Sequence, residues 1–466
     1  MSPTPRLGEK LCFGFGDLAS VLYWQTFMAY LPLYYTDVFG ITAAATGTLI
    51  LLSRVWDAVN DPLMGMLADR TETRFGKFRP YLLWLCVPFA LAGVLTFTTP
   101  HLSYGGKLAW AYVTFILLMM LYTAINIPYT AMLGVLSPEP RDRTSIASIK
   151  FLFAYAAGVI ASATLLPMVK VFGKGNDAKG WQLAFVVFGA AAVVFFLIAF
   201  AGTRERVRPA PGQRTAMRRD LRDLLGNRPW VILLTTTLTF ILFVATRTSA
   251  TAHYFKYYVG RQEIGLPLVS GTYGYETLVS AFNAVGQLAS IAGVLAVPFF
   301  ARWLGKKRAF FALYAVAIAS TAAFYGLSEK QVTLMFLLQV LGSATGGPLS
   351  ALLWAMYADT ADYGEWRNGR RATGLVFSAS TMSQKFGWAI GASLAVWLLS
   401  AVGFRANVAP SPAVRHGLVL LVSLIPAGLG VVSLLPLLAY KLDEATMDKI
   451  GHELQERRAA LASPGS

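Results

Sequence analysis

One apolar segment of the chain carries a cluster of charged and amide side chains, Arg54-Val-Trp-Asp57-Ala-Val-Asn60-Asp61-Pro62. In a helix, Asp57 and Asp61 are four residues apart, so both carboxylates lie on one face about one turn apart, with Asn60 beside them. Carboxylate and amide oxygens are good ligands for a small hard cation. The spacing therefore predicts a cation site.

A structural alternative is that Arg54 forms an internal ion pair with Asp57, three residues away, and that the cluster has no further role. One arginine cannot neutralise two carboxylates, however, and an unpaired buried charge is costly. A bound Na⁺, a proton or a lysine must therefore complete the charge balance. Lys150 in the fifth apolar segment and Lys385 in the eleventh are the lysines available for this, and Lys385 belongs to the second half of the chain.

Two further apolar segments carry side chains that could bind a polar ligand. They are Asp17, Trp24 and Gln25 in the first segment, and Thr123, Asn126, Tyr129 and Thr130 in the fourth. Hydrogen-bonding groups beside aromatic rings are typical of sugar sites. Aromatic residues in such segments pack against neighbours more often than they bind ligands, so both interpretations remain open for Trp24.

The composition of the chain indicates which elements position these residues. Of its 466 residues, 56% are hydrophobic and 14% are charged, and the mean hydropathy is +0.54. Soluble domains are roughly 45–50% apolar and about 25% charged. The composition therefore predicts a membrane protein with many spans. Because an ionisable residue at the bilayer centre costs about 2.5–3.5 kcal/mol, the buried charges are candidates for a functional site.

Twelve apolar runs are long enough to cross a bilayer, which takes about 20 residues. The sequence therefore predicts an all-α membrane protein with twelve transmembrane helices in two six-helix bundles. The runs are 11–38, 43–67, 80–98, 108–133, 149–171, 181–201, 230–258, 277–303, 309–327, 332–358, 373–402 and 417–440. The first run lacks a cleavage site, so we expect a retained span and not a signal peptide.

The net charge of +16 could indicate a nucleic-acid partner. Most lysines and arginines instead lie in the two tails and in alternate loops, which is the positive-inside pattern. We therefore expect both termini in the cytoplasm and no nucleic-acid binding. Two cysteines and four scattered histidines indicate no disulfide framework, zinc site, cofactor or catalytic group, so the chain is not expected to be an enzyme.

A basic segment divides the chain into two similar halves. Residues 204–228 hold eight arginines and predict a cytoplasmic linker between an N-terminal bundle, 1–203, and a C-terminal bundle, 229–440, which is followed by a cytoplasmic tail, 441–466. A basic loop containing Gly76 follows the second run, and one containing Gly305 follows the eighth. This pattern resembles the major facilitator fold, whose substrate site lies between the halves.

Several motifs carry a more specific resemblance. They are Gly14-Phe-Gly16-Asp17, Tyr34-Tyr35-Thr36-Asp37-Val38-Phe-Gly40, the Arg54 to Pro62 segment, Arg74-Phe-Gly76-Lys77-Phe-Arg79-Pro80 and Ala358-Asp359-Thr-Ala-Asp362-Tyr363-Gly364-Glu365. Together they resemble the glycoside-pentoside-hexuronide:cation symporters, the family of melibiose permease. The resemblance implies sugar symport coupled to Na⁺, Li⁺ or H⁺ in the bacterial inner membrane, by a protein expected to contact lipid and to be a monomer.

The resemblance also implies roles for individual residues. The cation site, which we expect to bind Na⁺, would be formed by Asp57, Asn60, Asp61 and Thr123. The substrate-binding residues would be Asp17, Trp24, Gln25, Asn126, Tyr129, Thr130, Lys150 and Lys385. For coupling, the resemblance implies Lys385. From their charges alone, we expect Arg54, Arg70, Arg74, Asp359, Asp362 and Arg371 to take part in coupling and gating as well. Two sugar-binding carboxylates of melibiose permease fall at Val21 and Asn126, and its tryptophan falls at Thr130. Neutral and acidic glycosides therefore both remain open as substrates.

Three alternatives remain beside sugar and Na⁺ symport. A protein of the same fold could move a lysolipid or another amphiphile with Na⁺. A purely proton-driven sugar carrier could use Asp57 or Asp61 alone. A membrane enzyme or a sugar sensor is disfavoured, because the chain shows no catalytic motif and the tail after residue 441 is short.

Overall fold

The computed structural model describes residues 5–137, 139–206, 224–266, 269–369 and 373–462. Helices make up nearly all of the described elements. We label them α1 (Leu7–Ala29), α2 (Ala43–Arg70), α3 (Arg79–Thr96), α4 (Tyr104–Leu136), α5 (Pro140–Gly173), α6 (Asp177–Gly202), α7 (Arg228–Tyr254), α8 (Tyr275–Leu295), α9 (Val297–Leu304), α10 (Lys306–Ala322), α11 (Val332–Asn368), α12 (Thr373–Ala401), α13 (Pro412–Val422), α14 (Leu424–Leu438) and α15 (Glu444–Ala462).

Helices α2 and α4 begin where a polar side chain satisfies one of the first free backbone N–H groups. The Thr42 hydroxyl accepts from the backbone N–H of Ala45 ahead of α2, at 3.2 Å, and the Ser103 hydroxyl accepts from Gly106 ahead of α4, at 3.4 Å. Such caps stabilise a helix start by about 1 kcal/mol. Within the apolar runs, a helix also satisfies every backbone group in the absence of water.

Among the described residues, nine helices are long and apolar enough to cross a membrane. The predicted runs 11–38, 43–67 and 373–402 are helical but are not among the nine. Helix α2 carries Arg54, Asp57 and Asp61 near its middle, which lowers its hydropathy. The total of twelve spans, and the side on which the termini lie, therefore stay predictions.

Three predicted runs are divided in the structure. Run 11–38 is divided at Tyr30, where α1 ends and a short helix, Leu31–Leu33, leads into a π-helical turn, Tyr34–Phe39. Run 277–303 is split into α8 and α9 at Ala296, because Pro298 has no N–H to continue the helical ladder. Run 417–440 is split into α13 and α14 at Ser423. A hairpin not predicted from the sequence lies between α7 and α8. Its strands, β1 (Gln262–Leu266) and β2 (Val269–Tyr273), pair antiparallel with Gln262 opposite Tyr273.

The chain forms two compact units. Unit 1 comprises Met1–Gly212, Thr248–Gln287 and Ala392–Leu418, and unit 2 comprises Gln213–Arg247, Leu288–Gly391 and Val419–Ser466. Unit 1 therefore combines the first half of the chain with parts of α7, α8, α12 and α13 from the second half. The predicted linker at 204–228 divides the sequence into two halves, which are not the same as these two units. The division into two six-helix bundles stays a prediction.

Aromatic packing holds unit 1 together. The rings of Phe97 and Phe185 are stacked with centroids 3.6 Å apart, and Tyr23 packs on Phe89 at 4.4 Å. A Cβ at Gly16 would lie 2.3 Å from the ring of Tyr129, so the absent side chain lets α1 and α4 approach closely. This contact places the ligand-binding candidates of α1 beside those of α4.

The core of unit 2 is built around Tyr314, which is fully buried and contacts the rings of Phe240, Phe243 and Phe310 at 5.4–5.5 Å. The packing joins α7 to α10. Buried residues of α11, the helix that carries Asp359, pack in the same core.

Candidate functional site

Helix α2 positions the predicted cation ligands in the interior of unit 1. Arg54 and Asp57 are 4% and 2% exposed. The Arg54 Nη1 donates to Asp57 Oδ2 at 3.1 Å. The Arg54 guanidinium also lies over the ring of Trp24, 4.6 Å from its centroid, and Trp24 stacks on Tyr122 at 5.6 Å. The arginine is thus held between a carboxylate and an aromatic face of α1.

The second carboxylate is held by α4. The Thr123 hydroxyl donates to Asp61 Oδ1 at 3.0 Å, and Thr123 is buried. Asn60 is half-buried, and its amide makes no hydrogen bond to a described residue. The structure therefore brings Asp61 and Thr123 together, one helical turn from Asp57. Within the described ranges, no group of three or more His, Cys, Asp and Glu residues lies together as a metal site.

The predicted substrate residues of α1 and α5 form an ion pair. Lys150 Nζ lies 3.6 Å from Asp17 Oδ1 and 5.6 Å from the ring centroid of Tyr129. Tyr129 is fully buried, and its hydroxyl donates to the Phe13 carbonyl at 2.8 Å. Its hydroxyl is thus engaged in packing α4 against α1. A substrate role for Tyr129 stays a prediction.

Two other predicted substrate residues lie on α4. The Asn126 amide donates to the Tyr122 carbonyl of its own helix at 3.0 Å and is half-buried. Thr130 is exposed. In unit 2, Lys385 lies half-buried on α12, and its predicted coupling role stays a prediction.

A cluster of neutral polar side chains, which we call the amide cluster, lies elsewhere in unit 1. It consists of Gln25, Tyr30, Ser162, Asn283 and Gln287. The Gln25 amide donates to the Ser162 hydroxyl at 3.2 Å and accepts from the Gln287 amide at 3.4 Å. The Asn283 amide donates to the Tyr30 hydroxyl at 3.1 Å. Asn283 and Gln287 were not predicted from the sequence, although two amides four residues apart in an apolar run could have indicated them.

A second cluster lies just beyond the C-terminal end of α1, around the π-helical turn Tyr34–Phe39. We call it the α1-end cluster. Lys256 Nζ donates to Asp37 Oδ2 at 2.5 Å, and the Tyr257 hydroxyl donates to the same oxygen. The Thr36 hydroxyl donates to Asp37 Oδ1 at 2.6 Å. The other members are His253, whose Nε2 lies 2.9 Å from Thr36 Oγ1, and Asn407, whose amide donates to the Asp37 carbonyl at 2.6 Å. No role for this cluster was predicted from the sequence.

The predicted gating residues are divided between the two units. Arg70 is exposed at the end of α2, and the Arg74 guanidinium lies over the ring of Phe75, 4.6 Å from its centroid. In unit 2, Lys306 Nζ donates to both oxygens of Asp359 at 2.6 and 2.7 Å. Asp362 is half-buried on α11. Arg371 lies outside the described residues.

The basic loop of each half is hydrogen-bonded to a glutamate from later in the sequence. Glu205 follows α6, and Glu444 is the first residue of α15. Glu205 accepts from the backbone N–H groups of Lys77, Phe78 and Arg79 at 2.7–2.9 Å. Glu444 accepts from the backbone N–H of Lys306 at 2.8 Å. Both glutamates lie at a helix N-terminus, where negative charge is favoured.

The glycine before each of these helix starts is required by its geometry. Gly76 and Gly305 have φ of +111° and +74°. A Cβ on Gly76 would lie 2.7 Å from the Glu205 carboxylate, and one on Gly305 would lie 2.6 Å from Glu444. The repeated glycine and glutamate pair supports an internal duplication, and the sequence analysis had recognised the glycines but not the glutamates.

Comparison with known proteins gives consistent matches along nearly the whole chain. A family model described as "MFS/sugar transport protein" matches residues 12–444. The chain is 36% identical over 454 residues to "Putative glycoside/cation symporter YagG" of Escherichia coli (strain K12), covering 97% of this chain and 95% of that one. It is 35% identical over 456 residues to "Isoprimeverose transporter" of Lactiplantibacillus pentosus, covering 97% and 92%.

Solved structures show the same fold at lower identity. A bacterial homolog of the human lysosomal transporter Spinster is 17% identical, with a TM-score of 0.64, and the match covers 94% of this chain and 98% of that one. At this identity the likeness concerns the fold alone.

Proposed function

The chain belongs to the glycoside-pentoside-hexuronide:cation symporters and has the fold of the major facilitator superfamily, and we propose that it carries a sugar together with a monovalent cation by alternating access. The family consists of transporters, so the protein is not an enzyme. It is a multi-pass protein of the plasma membrane. We further propose twelve spans, with α1, α2 and α12 joining the nine apolar helices, and both termini in the cytoplasm.

The observation that carries the proposal is the grouping of oxygen-bearing side chains from α2 and α4 around Asp61. Asp57 lies one turn from Asp61 on α2 and contacts Arg54 at 3.1 Å, and the Thr123 hydroxyl of α4 donates to Asp61 at 3.0 Å. We propose that Asp57, Asn60, Asp61 and Thr123 provide the oxygens that bind this cation. Na⁺ is the proposed ion because the set is built of carboxylate, amide and hydroxyl oxygens, the donors that hard cations favour.

The contact between Arg54 and Trp24 suggests how the sugar and the cation are coupled. A sugar stacked beside Trp24 would restrict this ring, and the ring lies against the guanidinium that holds Asp57. Sugar binding would thereby order the cation site. Because coupling free energies are reciprocal, the cation must tighten sugar binding by the same factor.

The α1-end cluster fits the role of an outer gate. If both termini are cytoplasmic, the C-terminal end of α1 faces the outside. There Asp37 of the first half accepts from Lys256 and Tyr257 of the second half, within unit 1. Opening a path from the outside would separate these buried groups. The gating roles of Arg70, Arg74, Asp359, Asp362 and Arg371 on the cytoplasmic side remain part of the proposal.

The test is uptake of labelled glycosides into proteoliposomes under an imposed Na⁺, Li⁺ or H⁺ gradient. We expect concentrative uptake driven by Na⁺ in the native protein and no concentrative uptake in Asp61→Asn. Asp177→Asn is the matched control, because Asp177 is exposed at the start of α6. Full concentrative uptake by Asp61→Asn would contradict the cation site. Uptake that ignores Na⁺ and Li⁺ but collapses with a protonophore would make H⁺ the coupling ion.

A further inference from the structure

The amide cluster occupies the interior of unit 1 and joins three helices, α1, α5 and α8. Its hydrogen bonds run from Gln287 to Gln25 and on to Ser162, and from Asn283 to Tyr30, whose hydroxyl donates to the Ser162 carbonyl at 3.3 Å. Ser162 and Tyr30 are buried, whereas the three amides are half-buried. Polar side chains in membrane helices face the bundle interior or a water-filled cavity. The amides therefore line the inner face of the bundle.

The amides of α8 have hydrogen-bonding capacity that the described protein atoms do not use. A side-chain amide offers two N–H donors and a carbonyl oxygen with two lone pairs. Gln287 and Asn283 each donate once, and neither carbonyl oxygen accepts from a described residue. Both amides lie on one face of α8, four residues apart. A sugar hydroxyl both donates and accepts, so it can satisfy an N–H and a carbonyl oxygen of such a pair.

A glycine of α5 lies next to Gln287. A Cβ built on Gly158 would lie 3.4 Å from the Gln287 Cδ and 3.5 Å from its Oε1, which is ordinary van der Waals contact. The glycine therefore lets α5 pack close to this amide and adds no side-chain donor or acceptor that would compete with a sugar hydroxyl for it.

The charges of unit 1 oppose an anionic ligand. Arg54 lies 3.1 Å from Asp57, and Lys150 lies 3.6 Å from Asp17. A hexuronide carboxylate bound by either cation would compete with the aspartate already there. Displacing that aspartate would leave a buried charge without its partner, which is strongly destabilising. An uncharged sugar disturbs neither pair.

We propose that the amide cluster binds hydroxyl groups of the transported sugar through Gln25, Asn283 and Gln287, and that the substrate is an uncharged glycoside or pentoside and not a hexuronide. This inference rests on the proposed sugar symport. It adds helix α8 to the substrate site and favours neutral over acidic sugars, a choice that the sequence left open.

The experiment uses three probes that differ at one carbon, the 4-nitrophenyl β-xyloside, β-glucoside and β-glucuronide. Binding to the purified full chain and Na⁺-driven uptake into proteoliposomes are measured for each. We expect the native protein to take up the xyloside or the glucoside and not the glucuronide. In Gln287→Leu, we expect the apparent Kd of the accepted probe to rise about threefold to tenfold, the loss of one net hydrogen bond.

Two controls separate substrate contact from a structural role. Gln182→Leu removes an amide of α6 that donates to Thr98 at 3.0 Å, outside the amide cluster, and should leave the Kd unchanged. The increase in melting temperature on adding Na⁺ should be the same in Gln287→Leu as in the native protein, because the cation ligands are untouched. Where Gln287→Leu is not recovered folded, Asn283→Leu provides the same measurement.

The outcomes distinguish a failure of the amide-cluster inference from a failure of the proposed sugar symport. Uptake of the glucuronide in preference to the neutral probes overturns the substrate class and leaves cation-coupled sugar symport standing. An unchanged Kd in both Gln287→Leu and Asn283→Leu overturns the role of the amide cluster. Failure of the native protein to bind or take up any of the three probes overturns the proposed function and the inference together.

Discussion

Asp57 and Asp61 should respond differently to the same substitution, because their partners differ. Asp57 faces the buried Arg54 at 3.1 Å, and both side chains are 3% exposed. Across that distance, two unit charges at an effective dielectric constant of about 20 attract by roughly 5 kcal/mol. Removing one partner of a buried pair costs about 3–5 kcal/mol, since the other charge stays buried. We expect Asp57→Asn to lower the free energy of unfolding by that amount.

Asp61→Asn should be milder. The asparagine carbonyl can still accept from the Thr123 hydroxyl, which lies 3.0 Å from Asp61 Oδ1. The change from a charged to a neutral acceptor costs about 1 kcal/mol. Without added cation, the melting temperature of Asp61→Asn should therefore stay close to the native value, while that of Asp57→Asn falls clearly.

The response to Na⁺ gives the second part of the prediction. A ligand at a hundred times its Kd stabilises the folded state by about 2.7 kcal/mol. The native protein should gain this on addition of Na⁺, and Asp61→Asn should gain nothing. The assay is thermal unfolding of purified protein in detergent, followed by tryptophan fluorescence, with Asp177→Asn as the matched control.

The double variant Arg54→Gln with Asp57→Asn tests the electrostatic reasoning. It removes both charges, so it should be more stable than Asp57→Asn alone. Equal losses in Asp57→Asn and Asp61→Asn would refute the assigned partners. A double variant no more stable than Asp57→Asn would show that the arginine charge is not the cause of the loss.

Three further predictions concern other parts of the chain. Gly76→Ala forces a side chain into φ of +111° and should lower the free energy of unfolding by about 1–3 kcal/mol. The melting temperature of this variant should fall. The melting temperature of Gly134→Ala should not, because a Cβ at Gly134 meets nothing within 4 Å. Lys256→Met should raise hydrogen exchange in the turn 34–40, and equal exchange in the native protein and the variant would argue against the α1-end cluster as a closure. The hydrogen bond from Lys10 holds the pKa of Asp142 below its usual range, so the contribution of this pair to stability should be present above about pH 4 and lost as the pH falls through the lowered value. Lys10→Met should abolish this pH dependence, as a comparison of melting temperature against pH would reveal.

The sequence alone determined those features that depend on neighbours within one helix. Apolar runs of about 20 residues predicted helices, because a chain in lipid must satisfy its backbone groups internally. The spacing of Arg54, Asp57 and Asp61 predicted their shared face and left an ion pair of Arg54 with Asp57 as an open alternative, since residues three and four apart are neighbours on any helix. The positions of Gly76 and Gly305 indicated the repeated turn.

The positions at which predicted helices are interrupted could not be predicted from the sequence with the same success. Pro298 divides run 277–303, yet Pro128 lies inside α4 without ending it. A proline removes one N–H in both places, and whether the helix continues depends on the groups around it. The hairpin of β1 and β2 likewise was not evident, because the short segment between the runs carries no strong strand pattern.

Only the tertiary structure decided which side chains meet across helices. Thr123 reaches Asp61 from another helix, and Gln287 reaches Gln25 across 262 residues of sequence. Glu205, taken from the sequence as part of a basic linker, closes the loop at Gly76. In lipid, the apolar faces of different helices are nearly equivalent, so hydropathy does not say which two will pack. Close packing and a few interhelical hydrogen bonds make that choice, and periodicity within a single helix carries no record of it.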